Sequence, residues 1–215
     1  MSAPTLTPRI VGRPVPLFLP DEGAVRVLCL GEAPGPRGAD KSGVPFFGDR
    51  AGAPLYRALE SAGACTMPTG LLAMSWDGAT FAAAGLRPSL RGVALGNAFD
   101  RCPTDDGRRF RAPSRAERTS AANRARLARD VDVVHARGLR CIVALGRVAA
   151  VDAEALLAAN TGRWPGVTLE RVVHPSAQGL LSAAPDRGRG ARLSDLAAEW
   201  EAVLTRLVRT VLEAP

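Results

Sequence analysis

Carboxylates and an aromatic side chain are concentrated in one glycine- and proline-rich segment, residues 31–52. It contains Glu32, Asp40 and Asp49 as candidate acid–base groups, and Phe46 as a candidate stacking ring. The segment follows an apolar run and precedes a helical pattern. A glycine-rich turn in that position can bring backbone N–H groups close to an anion or a planar ring. The segment is therefore predicted to form part of a binding site.

Two further polar side chains stand at the ends of other apolar runs, Asn97 and His174. Each also has an ordinary structural interpretation. Taken alone, Asn97 is typical of a strand-end turn, His174 of a structural histidine, and Phe46 of a core residue. Glu32 and Asp49 could equally serve as carboxylates that cap a helix or bond to backbone N–H groups.

The elements that must position these side chains follow from hydrophobic patterning. Four short apolar runs predict strands, and because they are continuous they favour strands buried on both faces of a parallel sheet. The strands are predicted at 25–30, 92–98, 141–145 and 168–173, and the helices at 53–62, 115–137, 147–159 and 193–212. This order predicts an α/β chain, a three-layer α/β/α sandwich around a central, mostly parallel four-stranded sheet. Ligands of such sheets bind beyond the carboxyl ends of the strands, where the polar residues lie.

The motifs resemble those of the uracil-DNA glycosylase superfamily. The sequence G-E-A-P-G at 31–35 is similar to the opening of the iron–sulfur class called the fourth family, and the spacing to G-V-P-F and F-G-D-R-A-G is closer to the fifth family. G-N-A-F-D-R-C-P at 96–103, V-A-L-G-R at 143–147 and H-P-S at 174–176 resemble further motifs of these families in the same order. The resemblance covers most of the chain from Val25 onward.

The resemblance implies a monofunctional enzyme that flips uracil out of DNA and hydrolyses its glycosidic bond, which starts base excision repair. Phe46 would stack on uracil, and the amide of Asn97 would bond to N3–H and O4, a pattern that cytosine reverses. His174 would donate a hydrogen bond to O2.

The remaining pocket assignments concern the first motif. Glu32 and Ala33 would also contact uracil. Asp49 is the predicted catalytic carboxylate, with Glu32 and Asp40 as alternatives. Ala33 stands where other members of the superfamily carry Asp or Asn.

DNA contacts are predicted around the same loops. In the loop 174–180, Ser176 would bond to a phosphate, and Gln178 or Leu180 would wedge into the gap left by the flipped base. The resemblance adds Pro34 and Lys41, and the basic stretch 186–192, predicted to be a mobile loop at 187–190, adds Arg189. A net charge of +7 suits a polyanionic partner, although the arginine excess also fits GC-rich coding.

Two departures from the family patterns shape the remaining expectations. The fourth and fifth families hold a [4Fe–4S] cluster on four cysteines, but of the four cysteines here only Cys102 matches a ligand position. We therefore expect no cofactor and no metal ion. The arginine-rich stretch 107–115 resembles a loop of cross-linking relatives that carries a histidine. This chain has none there, and His135 falls within a predicted helix, so turnover is expected rather than a covalent adduct.

The bulk properties predict one globular, cytoplasmic domain at residues 21–215 after a flexible, proline-rich start at 1–20. The expected partner is uracil-containing DNA, double-stranded and possibly also single-stranded, bound by a monomer that associates with the nucleoid during repair and with no membrane. One alternative is a catalytically weak protein of the same fold that binds uracil-containing or abasic DNA. A nucleotide-dependent oxidoreductase or hydrolase is disfavoured, because the glycine spacing fits neither dinucleotide nor phosphate-loop motifs.

Overall fold

The computed structural model describes residues 12–69 and 76–214. The strands are β1 (Val25–Gly31), β2 (Cys65–Thr66), β3 (Ser89–Leu90), β4 (Gly92–Asn97), β5 (Cys141–Leu145) and β6 (Thr168–Val172). The helices are α1 (Ala39–Ser42), α2 (Gly52–Ser61), α3 (Gly78–Ala83), α4 (Arg115–Arg118), α5 (Ala121–His135), α6 (Arg147–Ala159), α7 (Ala177–Ala183) and α8 (Leu193–Glu213).

The central sheet has four strands in the order β4-β1-β5-β6, and every neighbouring pair is parallel. Its registers bring the carboxyl ends of the strands to one edge. The last paired residues of β1 and β4 are Gly31 and Asn97. The loops that follow β1, β4 and β6 therefore open at the same edge of the sheet, as predicted.

Two hydrophobic cores lie on opposite faces of this sheet, because successive side chains of a strand point to opposite faces. Val27 and Cys29 of β1 pack with the core formed by α2 and α8. Leu28 and Leu30 pack with the core formed by α5 and α6. The three-layer α/β/α architecture predicted from the sequence is confirmed.

The start of the described chain runs along the edge of the sheet. Phe18 forms an antiparallel bridge with Leu95 of β4, and Val15 is buried and donates its N–H to the carbonyl of Asp100. The flexible, proline-rich start predicted at 1–20 therefore needs correction for residues 12–20, which cover the edge of β4. Residues 1–11 lie outside the described part of the chain.

Two element predictions need correction. The single helix predicted at 115–137 is two helices. A capping box of Ser114 and Glu117 opens α4, but Ser120 then accepts a hydrogen bond from the N–H of Asn123 and starts α5. Strand β6 is an edge strand with mostly exposed or half-exposed side chains, whereas burial on both faces was predicted.

Within the described part of residues 66–91, the chain forms one short helix, α3. It is bracketed by β2 and β3, which pair antiparallel. Residues 70–75 lie outside the described part of the chain. In residues 12–69 and 76–214, no helix has the length and apolar character required to cross a membrane.

Candidate functional site

Phe46 and Asn97 meet at the last residue of β1, Gly31. A Cβ atom added to Gly31 would lie 2.6 Å from Asn97 Oδ1 and 2.7 Å from Phe46 Cζ. Only glycine allows so close an approach of a ring and an amide to the backbone. The structure thus brings together two of the residues assigned to uracil, although they are about 50 positions apart in the chain.

Asn97 carries a buried donor that no described residue satisfies. The residue is 3% exposed, and its Nδ2 atom has no hydrogen-bond partner within residues 12–69 and 76–214. A buried amide without a partner destabilises a fold by about 1–3 kcal/mol. A polar group left unpaired in this way beside an aromatic ring is suited to a planar ligand that supplies the missing acceptor.

Phe46 has an unusual backbone conformation that its neighbours impose. Its φ of +63° lies in the left-handed region, which is rare for a bulky residue and is often found at functional sites. Tyr56 donates its hydroxyl to the carbonyl of Pro45 at 2.7 Å, and Ser42 donates its hydroxyl to that of Phe47 at 2.7 Å. Both carbonyls flanking Phe46 are therefore held by side chains.

Asp49 is enclosed by its own loop. Its Oδ2 accepts a hydrogen bond from the N–H of Ala39 at 3.1 Å, and Gly35 and Gly38 approach the carboxyl group so closely that a Cβ atom on either would lie within 2.5 Å of it. Burial raises the pKa of Asp49, while hydrogen bonds from the backbone of Ala39, Gly38 and Gly35 oppose that shift. In this geometry the carboxylate of Asp49 connects the end of the 31–52 segment with the backbone of residues 35–39.

A different carboxylate shares a cavity with His174. The cavity has a volume of about 280 Å³, and Glu32 and Ala33 form one wall of it. The other lining residues are Pro34, Pro36, Cys102, Phe110, Arg111, Ala112, Pro113 and His174. Burial raises the pKa of Glu32, and the charge of Arg118 opposes that shift. Asp40 and Asp49 do not line this cavity, so its geometry favours Glu32, one of the alternatives left open by the sequence.

The orientation of His174 is fixed by its backbone surroundings. Its Nδ1 atom accepts a hydrogen bond from the N–H of Ser176 at 3.2 Å, so the proton of the neutral ring resides on Nε2. Burial lowers the pKa of His174, which favours that neutral form. Trp200 donates Nε1–H to the carbonyl of Val173 at 2.8 Å, and a Cβ atom added to Gly146 would lie 3.1 Å from the Cβ atom of His174. His174 can therefore donate from Nε2 to an acceptor in the cavity.

The loop after His174 has one exposed side chain suited to a wedge. Gln178 is exposed, whereas Leu180 is 5% exposed and packs in the core beside α8. The predicted alternative of Leu180 as a wedge is therefore corrected, because its side chain is already committed to the core. Ser176 caps α7 by accepting a hydrogen bond from the N–H of Gly179 at 3.2 Å.

The other residues predicted to contact DNA differ in their exposure to solvent. Lys41 and Arg189 are exposed, although Lys41 Nζ is 3.8 Å from Asp40 Oδ2. Pro34 is buried in the cavity wall. The loop predicted at 187–190 overlaps a 3-10 turn at Pro185–Gly188, in which Arg187 has a φ of +55°.

Cys29, Cys65, Cys102 and Cys141 are all buried thiols, and burial raises the pKa of Cys102 to about 12. Across the two described ranges, no group of three or more His, Cys, Asp or Glu side chains is arranged to hold a metal ion.

The sequence did not predict the side chains that donate hydrogen bonds to backbone carbonyls of the motif loops. Trp76 and Trp200 pack in the core, and their Nε1–H groups donate to the carbonyls of Asp49 and Val173. Tyr56 and Arg126 had no assigned role. The only signal for Tyr56 was that it is the single tyrosine of the chain, on a helix next to the first motif.

Comparison with known proteins agrees with these motifs. The family model described as the Uracil DNA glycosylase superfamily matches residues 19–198. The chain is 46% identical over 59 residues to the Type-5 uracil-DNA glycosylase of Thermus thermophilus, a stretch that covers 27% of this chain and 26% of that protein. It is 44% identical over 57 residues to the Type-5 uracil-DNA glycosylase of Mycobacterium leprae, which covers 26% of this chain and 24% of that protein. Each alignment thus spans about a quarter of the relative.

Proposed function

This chain belongs to the uracil-DNA glycosylase superfamily, and we propose that it is a monofunctional glycosylase that excises uracil from DNA. The nucleotide is flipped out of the helix, the glycosidic bond is hydrolysed, and the abasic product starts base excision repair. The two similar proteins are named as uracil-DNA glycosylases of type 5, which supports this proposal over the part of the chain that they share.

The observation that carries the proposal is the meeting of Phe46 and Asn97 at Gly31, with Nδ2 of Asn97 buried and unpaired in the described part of the chain. Uracil offers a flat face to the ring, a donor at N3 and an acceptor at O4. Oδ1 of Asn97 accepts from N3–H, and Nδ2 donates to O4. Cytosine has an acceptor at N3 and a donor at C4, so both contacts would be left unmade.

Bond cleavage builds negative charge on uracil and positive charge on the sugar. The N1–C1′ bond breaks with its electron pair moving into the base, and Nε2–H of His174 stabilises the charge that develops on O2. Glu32 faces the same cavity, so we assign it the role of orienting the water and of stabilising the cationic sugar. As the water oxygen bonds to C1′, the water loses one proton, which balances the negative charge carried away by the uracil anion. Asp49, the expected catalytic carboxylate, instead holds the motif loop in shape.

The DNA contacts remain part of the proposal. Ser176 and Arg189 bond to phosphates, Lys41 adds positive charge near the first motif, and Gln178 occupies the space of the flipped base. The proposal also includes action as a monomer on uracil-containing DNA.

The test is incubation of the purified protein with a single-uracil oligonucleotide, followed by alkali to cleave abasic sites. Cleavage at the uracil, with none at a cytosine in the same position, is the expected result. Binding to uracil-containing or abasic DNA without cleavage would instead favour the non-catalytic alternative. A control with His174→Ala excludes a contaminating glycosylase.

A further inference from the structure

The guanidinium group of Arg126, on α5, lies against the backbone directly at Asn97. Its Nη2 atom donates to the carbonyl of Asn97 at 3.1 Å and to the carbonyl of Ala98 at 2.5 Å. Asn123, one turn earlier on the same helix, donates Nδ2–H to the carbonyl of Ala98 at 2.9 Å. The carboxyl end of β4 is therefore bonded to two side chains from the helical layer behind the sheet.

The same stretch of backbone is held from the other side by the first motif. The N–H of Ala98 donates to the carbonyl of Gly31 at 2.8 Å, and the N–H of Phe99 donates to that of Glu32 at 2.9 Å. The peptide that follows Asn97 is thus fixed between β1 and Arg126. The side chain of Asn97 itself makes no use of Nδ2 within the described residues, so its aim depends on this backbone.

Arg126 is in turn locked in place. Its Nη1 atom bonds to Asp130 Oδ2 at 2.6 Å, and its Nε and Nη2 atoms bond to Asn123 Oδ1 at 3.2 and 3.0 Å. Its side chain is 18% exposed. All three guanidinium nitrogens therefore have protein partners, which separates Arg126 from the surface arginines that could bind phosphate.

We propose that Arg126 is a positioning residue that sets the aim of the Asn97 amide at the base, by bonding to the carbonyls of Asn97 and Ala98. This inference rests on the proposed function. Its physical basis is that recognition by a single amide requires accurate placement, and a misplacement of about 1 Å can lower a rate on the order of a hundredfold. Lysine would keep the charge of Arg126 but not its planar fork.

The experiment is a double-mutant cycle between Arg126→Met and Asn97→Ala, measured as single-turnover excision of uracil. Arg126→Met should lower the rate about tenfold to a hundredfold, and Arg126→Lys should fall between it and the wild type. If Arg126 acts through Asn97, adding Arg126→Met to Asn97→Ala should leave the rate of that variant unchanged. The affinity of Arg126→Met for abasic DNA should match the affinity of the control variant Arg124→Met, which removes an exposed charge from the same helix.

Equal losses of rate from Arg126→Met in the wild-type and Asn97→Ala backgrounds would overturn the inference, because they would indicate a general structural role. So would a wild-type rate in Arg126→Met. If Arg126→Met does not fold, the same cycle with Arg126→Lys decides the question. Uracil excision by the wild-type protein establishes the proposed function independently of every outcome of the cycle.

Discussion

The hydroxyl of Tyr56 lies 2.7 Å from the carbonyl oxygen of Pro45, the residue immediately before Phe46. Tyr56 is fully buried on α2, and Phe46 is held in a left-handed conformation. This hydrogen bond therefore connects the helical layer with the ring assigned to uracil stacking.

Replacing Tyr56 with phenylalanine should weaken both the loop and catalysis. The carbonyl of Pro45 would lose its donor, which destabilises the protein by about 1–3 kcal/mol, and excision should slow as Phe46 loses its fixed conformation. Denaturant unfolding and single-turnover rates measure the two effects. A variant with reduced stability but an unchanged rate at a temperature where it is folded would contradict a link between Tyr56 and the ring.

Burial also raises the pKa of Tyr56 well above its ordinary value of 10. Because the folded state then holds the proton more tightly than the unfolded chain, this group stabilises the fold below about pH 10 and the stabilisation is lost at higher pH. As the chain has one tyrosine, its ultraviolet absorbance should report tyrosinate only when the protein unfolds in alkali. Ionisation of the folded protein near pH 10 would be inconsistent with this burial.

Gly31→Ala should block the base pocket. The added methyl group would lie 2.6 Å from Asn97 Oδ1 and 2.7 Å from Phe46 Cζ, so at least one of these groups must move. Gly96→Ala is the matched control on β4, where the methyl group would meet Leu17 at 3.2 Å, away from the pocket. Uracil excision should be lost in the first variant and retained in the second. Equal activity of the two would argue against a pocket at Gly31.

His174 should stay neutral below the ordinary histidine pKa of 6.5, because burial lowers its pKa. The unfolded chain takes up a proton first as the pH falls below 6.5, so this group reduces stability on the acid side and has no effect above it. Excision should decline only at still lower pH, when protonation of Nδ1 breaks the bond from the Ser176 N–H. NMR titration of the two histidines, assigned with His135→Gln, checks this, and a His174 pKa at or above 6.5 would contradict it.

Glu32→Gln and Asp49→Ala should separate catalysis from loop structure. Glu32→Gln should lower the single-turnover rate on the order of a hundredfold while changing stability by less than about 0.5 kcal/mol. Asp49→Ala removes the acceptor of the Ala39 N–H and should destabilise the protein by about 1–3 kcal/mol. A full rate in Glu32→Gln, together with a rate loss in Asp49→Asn at unchanged stability, would return the catalytic role to Asp49.

The sheet could be predicted from the sequence because its strands are short, continuous apolar runs, and β5 begins and ends at the predicted residues. The break between α4 and α5 escaped prediction because helical periodicity continues across Thr119 and Ser120, and only the competing cap of Ser120 interrupts it. The exposure of β6 depends on its place at the edge of the sheet. The position of β6 at the edge is determined by the order of the strands, which the local hydrophobic pattern does not reveal.

The candidate site also contains residues that could be predicted from the sequence and residues that could not. The resemblance to the family motifs assigned roles to Phe46, Asn97 and His174, because their residue types taken alone also fit structural positions. The role of Asp49 could not be read in this way, since a carboxylate that bonds to backbone and one that orients water look alike in sequence. Arg126 and Trp200 donate hydrogen bonds to backbone carbonyls. Because every residue has a backbone carbonyl, no sequence motif identifies which residue accepts these bonds.

Recognition of uracil by the amide of Asn97 is the interaction on which the proposed function depends most. The most direct test is the single-turnover excision rate of Asn97→Asp on a uracil oligonucleotide, compared with wild type under conditions where both proteins are folded and saturate the DNA. The carboxylate cannot donate to O4, so the rate should fall by about tenfold to a hundredfold, the effect of leaving one buried hydrogen bond unmade. An unchanged rate would contradict the account.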